Sequence, residues 1–389
     1  MQNFTIVKII HGIIAILHMP LLLVIYVIRP FIEIKFGYLS TGRIGHFAQD
    51  LGYAIIEKNK NKNKITLYYL QDITSNEELK VIAKRELNVN QYYKYFVHAY
   101  IALGLQSQIV STHRHRIGAC GSRDVTGIMS SSTYDISLLD KENKISESYM
   151  KKYGWTEGEN FVCVNVRDKA FFNESEASSR HMYRNSNIDD FEIAINYLLN
   201  LGYWVIRMGK KVERPSKVKH KKFVDYGTYE NRTDLLDIWF CKNCYFFIST
   251  GTGIDSVAKM FKKPVLIVNL VPLMDIASWV DGITVPKRLF WNNGKELTLT
   301  EHLDNRNVNQ YKEKGINVVD LSPNEIKSVV QEMLEHVKKV PLTDKQVQLM
   351  KEFWSVLENH ETYSSYHSVL NPNALFGTSF LENNQYFLS

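Results

Sequence analysis

The chain has 389 residues, 45% of them hydrophobic and 23% charged, a composition that excludes a disordered protein. Its length exceeds one ordinary core, so two domains are expected. A formal net charge of +6 is too diffuse to argue for nucleic acid, and no polybasic tail or aromatic-basic repeat supports that partner.

In chain order, the first feature is an apolar run. From Ile9 to Ile28 the sequence "IIHGIIAILHMPLLLVIYVI" carries no formal charge over 20 residues, between Lys8 and Arg29. That length crosses a bilayer, although His11, Gly12, His18 and Pro20 weaken a span, and no small-residue cleavage site follows to make it a signal peptide. Residues 1–30 are therefore expected to be membrane-associated, spanning or lying in the interface; a buried helical hairpin is the alternative. If the run spans, Arg29, Lys35 and Arg43 outweigh Lys8 and place the body at the cytoplasmic face of the cell membrane.

Residues 31–150 read as a first α/β domain with its linker. Strands are expected at 32–39, 64–70 and 92–100, with helices at 43–58 and 76–87 between them. The stretch "THRHR" at 112–116 reads as a solvated basic loop. Residues 118–160, rich in Gly, Ser, Lys and Glu, read as the interdomain linker.

Residues 151–340 form the clearer α/β domain. The runs at 161–167, 203–209, 222–227, 245–250 and 264–270 are short, β-branched or aromatic, and mostly apolar on both faces. Strands of that kind are covered on both sides, as in a parallel sheet. A helix follows Asn187, a capping residue, with Asp189 and Asp190 in its first turn and Gly202 closing its end. "RTDLLDIWFCKNC" and "GIDSVAKMFKK" read as two further helices, and the alternation gives a Rossmann-like sheet. Residues 341–389 supply a helix and an aromatic-rich tail expected to pack back on the body. The four cysteines, Cys120, Cys163, Cys241 and Cys244, are too few for a disulfide framework and suit a reducing compartment. Cys241 and Cys244 form a lone CxxC without a second pair, which reads as packing at a helix end, so no metal is expected.

Candidate functional residues gather at strand ends. In "YFFISTGTGIDSVAKMF" (245–261) an apolar strand ends in Ser249, Thr250, Gly251, Thr252 and Gly253 before a helix. Such a turn puts amides, hydroxyls and a helix amino terminus together, as an anion site requires. It is neither a Walker A nor a dinucleotide GxGxxG motif. The strand at 161–167 delivers Arg167 and Asp168 at the edge where open parallel sheets bind ligands. Arg184 and Asn185 lie in a loop on that edge, Arg207 ends the next strand, and Asp225 with Tyr226 ends the third. Arginines facing a helix start suit a pyrophosphate, because guanidinium forks bind paired oxygens. Each reading has a structural counterpart: a βα turn uses Gly for geometry, Arg167 with Asp168 suits a local ion pair, and Arg207 suits a solvated strand end.

With these residues in view, "RIGHFA", "VNVRD", "YRNSNIDDF", "LGYWVIRMG", "VDYG", "DIWFCKNCYFFISTGTGI" and "KPVLIVNLVPL" resemble a group of bacterial surface-polysaccharide glycosyltransferases of the GT-B type. The resemblance covers most of residues 32–275. More remotely, "VNVRD" and the Ser/Thr-rich turn are similar to the phosphate motifs of GT-B fucosyltransferases, where a His stands at the position of Asn165. The resemblance implies two Rossmann-like domains facing across a cleft, with a nucleotide-sugar donor in the second and an acceptor, a glycan or a lipid-linked sugar, held mainly by the first. On that reading Arg167 and Arg184 neutralise the pyrophosphate and Thr250 to Gly253 hold its other oxygens. Charge gathered by the leaving diphosphate is then stabilised without a metal or any cofactor. The candidate base is His46, at the start of the first helix, with Arg43 and Gly45 as acceptor contacts. The rivals are a nucleotide-sugar epimerase on the same scaffold and a non-catalytic nucleotide-sugar-binding scaffold protein.

Overall fold

The computed structural model describes residues 2–60, 63–71, 73–110, 124, 127–171, 182–367 and 370–389. "THRHR" and Cys120 lie outside them. The chain divides into two compact units, Met1–Ser122 with Ser131–Tyr134, and Arg123–Ser130 with Asp135–Ser389.

In the first unit, α1 (Gln2–Ile28) leads into β1 (Glu33–Leu39), α2 (Ile44–Lys60), β2 (Lys64–Leu70), α3 (Glu77–Glu86), β3 (Asn88–Val89) and α4 (Lys94–Ala102). The three strands form a parallel sheet in the order β1-β2-β3, with β1 and β2 in register from Glu33 opposite Lys64 to Leu39 opposite Leu70. α3 starts where Asn76 Oδ1 accepts the Leu79 N–H (2.9 Å), a cap that satisfies one of the donors a helix start leaves open. The segment 92–100, expected as a strand, is instead the helix α4 behind a short 3-10 turn. Its apolar residues Tyr93, Phe96, Val97 and Tyr100 recur at helical spacing and meet the sheet as one stripe; Phe96 stacks on Phe36 at 4.3 Å. Among the described residues no helix is long and apolar enough to cross a membrane, so the spanning form of the amino-terminal expectation is without support. α1 is packed against α4.

The second unit holds a seven-stranded sheet in the order β12-β9-β8-β7-β4-β5-β6. Its members are β4 (Phe161–Asn165), β5 (Trp204–Arg207), β6 (Phe223–Val224), β7 (Phe247–Ser249), β8 (Val265–Leu270), β9 (Gly282–Pro286) and β12 (Ala374–Phe376). Every pairing is parallel, and β4, β5, β7 and β9 are buried throughout, which is why these runs read as continuously apolar. A separate antiparallel ribbon joins β10 (Arg288–Trp291) to β11 (Ile316–Val319).

Part of the expected linker belongs to this unit. Residues 140–151 form a helix whose Tyr149 ring meets Tyr226 and Phe240 edge-on. It was hidden in the sequence because only isolated apolar residues, such as Met150, are buried among charged ones. The tail, too, is structural: it contributes β12, and Phe376 stacks on Phe353 at 4.0 Å. Glu332 accepts the Thr378 and Ser379 amides (2.7 and 3.0 Å), capping the helix Thr378–Asn383.

His302 is 2% exposed and its ring meets the tail residue Phe387 at 5.3 Å. Burial pushes its ionisation from 6.5 down to about 3, against the opposing charge of Glu301. A histidine held neutral in the fold contributes stability above its unfolded value that is lost as protons bind the unfolded chain. Stability is thus expected to fall as pH drops from 6.5 toward 3, by at most about 1.4 kcal/mol per unit from this group. Urea unfolding across that range checks it: His302→Leu is expected to flatten the slope, and an unchanged slope refutes the assignment.

Candidate functional site

From β4 the chain passes to β5 and β6 on one side, then returns on the other as β7, β8 and β9. The crevice outside the carboxyl ends of β4 and β7 is therefore the switch point of the sheet, where a doubly wound fold leaves room for a ligand.

The two strands stay tied past their ends. The Thr250 N–H donates to the Asn165 carbonyl (3.2 Å), and the Arg167 N–H donates to Thr250 Oγ1 (3.0 Å). The Arg167 carbonyl accepts from the Ser186 N–H (2.9 Å), which draws the turn Met182–Arg184 over the same edge. From that turn Arg184 donates to the Gly251 carbonyl. Gly251 sits at φ +73°, a left-handed conformation that glycine reaches without steric cost.

This scaffold ties both arginines to adjacent residues of one turn. Burial first, and then the charge of Arg184, push the ionisation of Arg167 down to about 10, with Tyr183 opposing. Burial likewise pushes the Tyr183 phenol up against the pull of Arg184, and Asp275 adds to the rise. Tyr311 is raised in the same way beside Tyr183 and Asp275. Cations forced together in a partly desolvated edge are relieved by an anion, so the cluster suits a multiply charged ligand.

A hollow of about 410 Å³ adjoins this edge. Val166 and Asp168, which flank Arg167, and Asn185 and Ser186, which follow Arg184, all line it, together with Arg214 and Asp320. Its floor is rigid. Lys287, 3% exposed, donates to the Asn185 carbonyl (2.6 Å) and pairs with Asp320 (2.6 Å). Asn269, at φ 60°, donates to Ser186 Oγ (3.2 Å) and accepts the Leu321 N–H (2.9 Å). Asp168 accepts the Ala170 and Glu213 amides (2.9 and 2.8 Å), so it ties loops as well as lining the hollow.

Three sets of expected donor contacts are engaged within the fold. First, the turn at 249–253 supplies its own anion. Ser249 Oγ accepts the Gly251 N–H (3.1 Å) and Thr252 N–H (3.2 Å). Asp255, 2% exposed, accepts the Thr252 N–H (2.7 Å) and the Ser249 hydroxyl (2.8 Å) and pairs with Lys259 (2.8 Å). The Thr252 amide thus meets a buried carboxylate and the Gly251 amide the Ser249 hydroxyl, ahead of a helix of only 6 residues, while the Gly251 carbonyl receives Arg184. Second, Arg207 is 1% exposed and donates to Asp225 (3.2 and 3.3 Å) and to the Arg214 carbonyl (2.8 Å). This pair pins the loop after β5 beneath the surface. Third, Tyr226 is fully buried, its hydroxyl donating to the Thr233 carbonyl and accepting the Thr233 N–H (both 3.1 Å).

Tyr183, Asp275, Tyr311 and Lys287 were not foreseen. Tyr183 had a signal, standing next to Arg184 in "HMYRNSN"; Asp275 and Tyr311 come from short helices, and Lys287 directly follows β9, a strand the sequence reading did not include. Cys163, Cys241 and Cys244 are free and buried, and burial pushes the first two thiols up. No group of three or more metal-ligating side chains occurs among the described residues. In the first unit, His46 is half-buried in the opening turn of α2, with Gly45 buried and Arg43 exposed beside it.

No family model matches the chain, and no curated protein does. Among solved structures it is similar to a glycosyl transferase family 9 protein from Veillonella parvula DSM 2008, at 10% identity and a TM-score of 0.49 over 77% of this chain and 97% of that one. It is also similar to E. coli ADP-heptose LPS heptosyltransferase II, at 8% identity and a TM-score of 0.43 over 78% and 99% of the two chains. A putative UDP-N-acetylglucosamine 2-epimerase from Listeria monocytogenes matches at 12% identity and a TM-score of 0.28 over 61% and 79%. Likenesses this remote decide nothing between transferase and epimerase chemistry.

The two kinds of arginine differ in what their loss does. Arg207→Ala leaves the half-buried Asp225 with the Ser216 amide but without its buried cation and is expected to cost about 2–3 kcal/mol of stability in urea unfolding. Arg167→Met is expected to cost clearly less than Arg207→Ala in the same assay; an equal loss would assign Arg167 to the framework.

Proposed function

We propose that this chain is a glycosyltransferase, moving a sugar from a nucleotide-diphosphate sugar to a glycan or lipid-linked acceptor at the cytoplasmic face of the cell membrane. One observation carries the reading: Arg167 and Arg184 are both tied to the Thr250–Gly251 turn at the switch point of a parallel sheet, beside a hollow of about 410 Å³. A diphosphate fills the role that this geometry creates, and the hollow is of the size that ligand sites have.

In the reaction, the bond between the sugar's anomeric carbon and the donor's distal phosphate oxygen breaks as the acceptor hydroxyl oxygen bonds to that carbon. The diphosphate leaves with the electron pair. Arg167 and Arg184 meet the charge it gathers, and because both are fixed before the reaction, little reorganisation opposes them. Two guanidiniums take the role that a divalent cation has in other enzymes, so neither metal nor cofactor is required. His46 receives the acceptor's proton on its imidazole, and Arg43 and Gly45 border the acceptor's approach. Asn185 and Asp168 border the donor's nucleoside.

Titration of the purified protein with uridine, guanosine, cytidine and adenosine diphospho-sugars, following heat and released nucleotide, tests the reading. One donor is expected to bind and to hydrolyse slowly. Arg167→Ala and Arg184→Ala are each expected to weaken its binding about 10- to 100-fold, whereas His46→Ala is expected to leave binding intact and to lower transfer about 10²- to 10⁴-fold. Tight binding without turnover in the presence of membrane extract would make the chain a scaffold, and release of an epimerised sugar nucleotide would make it an epimerase. No binding of any donor overturns the proposal.

A further inference from the structure

α1 is apolar on two opposite faces, and the fold uses one of them. Ala15 and His18 are buried, and Leu22 and Ile25 pack with Phe36 and Phe96 in the core of the first unit. His18 fixes this face: one ring nitrogen bonds the Ile14 carbonyl (2.8 Å) and the other the Tyr92 hydroxyl (3.2 Å), while the ring lies edge-on to Phe96 at 4.8 Å. On the other side of the helix Ile13, Ile16, Leu17, Val24 and Val27, spaced at three, four and seven residues, are 54–70% exposed. A soluble helix puts charged residues there, but no formal charge falls between Ile9 and Ile28.

We infer that α1 lies in the plane of an anionic lipid bilayer, its exposed stripe in the acyl boundary and the first unit serving as its polar side. An in-plane helix pairs a lipid-facing apolar stripe with a water-facing partner, and here the partner is the folded unit. A transverse helix would have to surrender the His18–Tyr92 contact and carry that imidazole into hydrocarbon. The chemistry at the end of the helix selects lipid over a second copy of the chain. A hollow of about 260 Å³ opens there between Leu22, Ile25, Leu103 and Leu105, with Arg29 and Lys35 at its lining. Both cations share the single carboxylate of Glu33 (3.5 and 3.3 Å), so the mouth stays net positive beside an apolar wall. Tyr26 and Phe31 are 71% and 85% exposed at the same end, the residue class that settles at the headgroup level. Apolar stripe, aromatic edge and cationic rim in sequence match the depth profile of an anionic leaflet. This inference stands independently of the donor site.

Flotation of the full-length protein with phosphatidylcholine vesicles, with and without phosphatidylglycerol, tests it. Binding is expected to require phosphatidylglycerol and to weaken with salt. Arg29→Gln and Lys35→Gln are each expected to weaken it about fivefold. The combined change Ile16→Glu with Val24→Glu is expected to abolish flotation while circular dichroism and thermal midpoint stay unchanged, since both positions are exposed. Orientation is read from an amino-terminal epitope tag in inside-out membrane vesicles: tag and body digested together by added protease support the in-plane helix. A tag protected while the body is digested means a span and overturns it. So does a dimer in light scattering that Ile16→Glu with Val24→Glu dissociates, when vesicles do not bind.

Discussion

The site depends on one constraint, the continuation of the β4–β7 pairing beyond the strands themselves. Where the sheet ends, the Arg167 and Thr250 amides still find partners across the gap. Those bonds fix the main chain on which one guanidinium is mounted, and the Ser186 amide on the Arg167 carbonyl fixes the loop that mounts the other. Loops at a sheet edge would otherwise leave buried amides open at a cost of about 1–3 kcal/mol each. The bonds that avoid this cost also tie two arginines to one turn.

Much of this was legible in the sequence, and the reasons are physical. Continuous apolarity at 161–167, 245–250 and 264–270 marked strands covered on both faces, and these are the centre of the sheet. Placing Arg167 and Arg184 on one edge needed only the direction of parallel strands and the rule that loops following them share a side. Residues 92–100 misled because their aromatics favour strands by propensity while their spacing fits a helix, and tertiary packing on Phe36 decided for the helix. The Ser249–Gly253 turn misled differently. Its small residues do place amides at a helix start, but the Thr252 amide is taken by Asp255 of the helix itself and the Gly251 amide by Ser249, and sequence does not show whether an acid in a first turn points outward or back. Arg207 and Asp225 sit at strand ends as expected, yet the segment covering them turned a rim into an interior.

The sequence also left untouched what arrives from far along the chain. Lys287 reaches the Asn185 carbonyl across 102 positions, and Asn269 links Ser186 to Leu321. These contacts hold the floor of the hollow; Lys287 belongs to no motif, and Asn269 sits within "KPVLIVNLVPL" with nothing local to show which loops it joins. Local patterns reveal where a fold presents chemistry; the supports beneath it depend on tertiary neighbours.

The edge strand β12 lies beside β9 and comes from Ala374–Phe376, some two hundred positions after β4 begins the same sheet. During synthesis the flank of β9 therefore stays uncovered, with its hydrogen-bonding groups unpaired, until the ribosome has passed Phe376, and Phe387 closes over His302 later still. The nascent unit is exposed to wrong pairings throughout that interval.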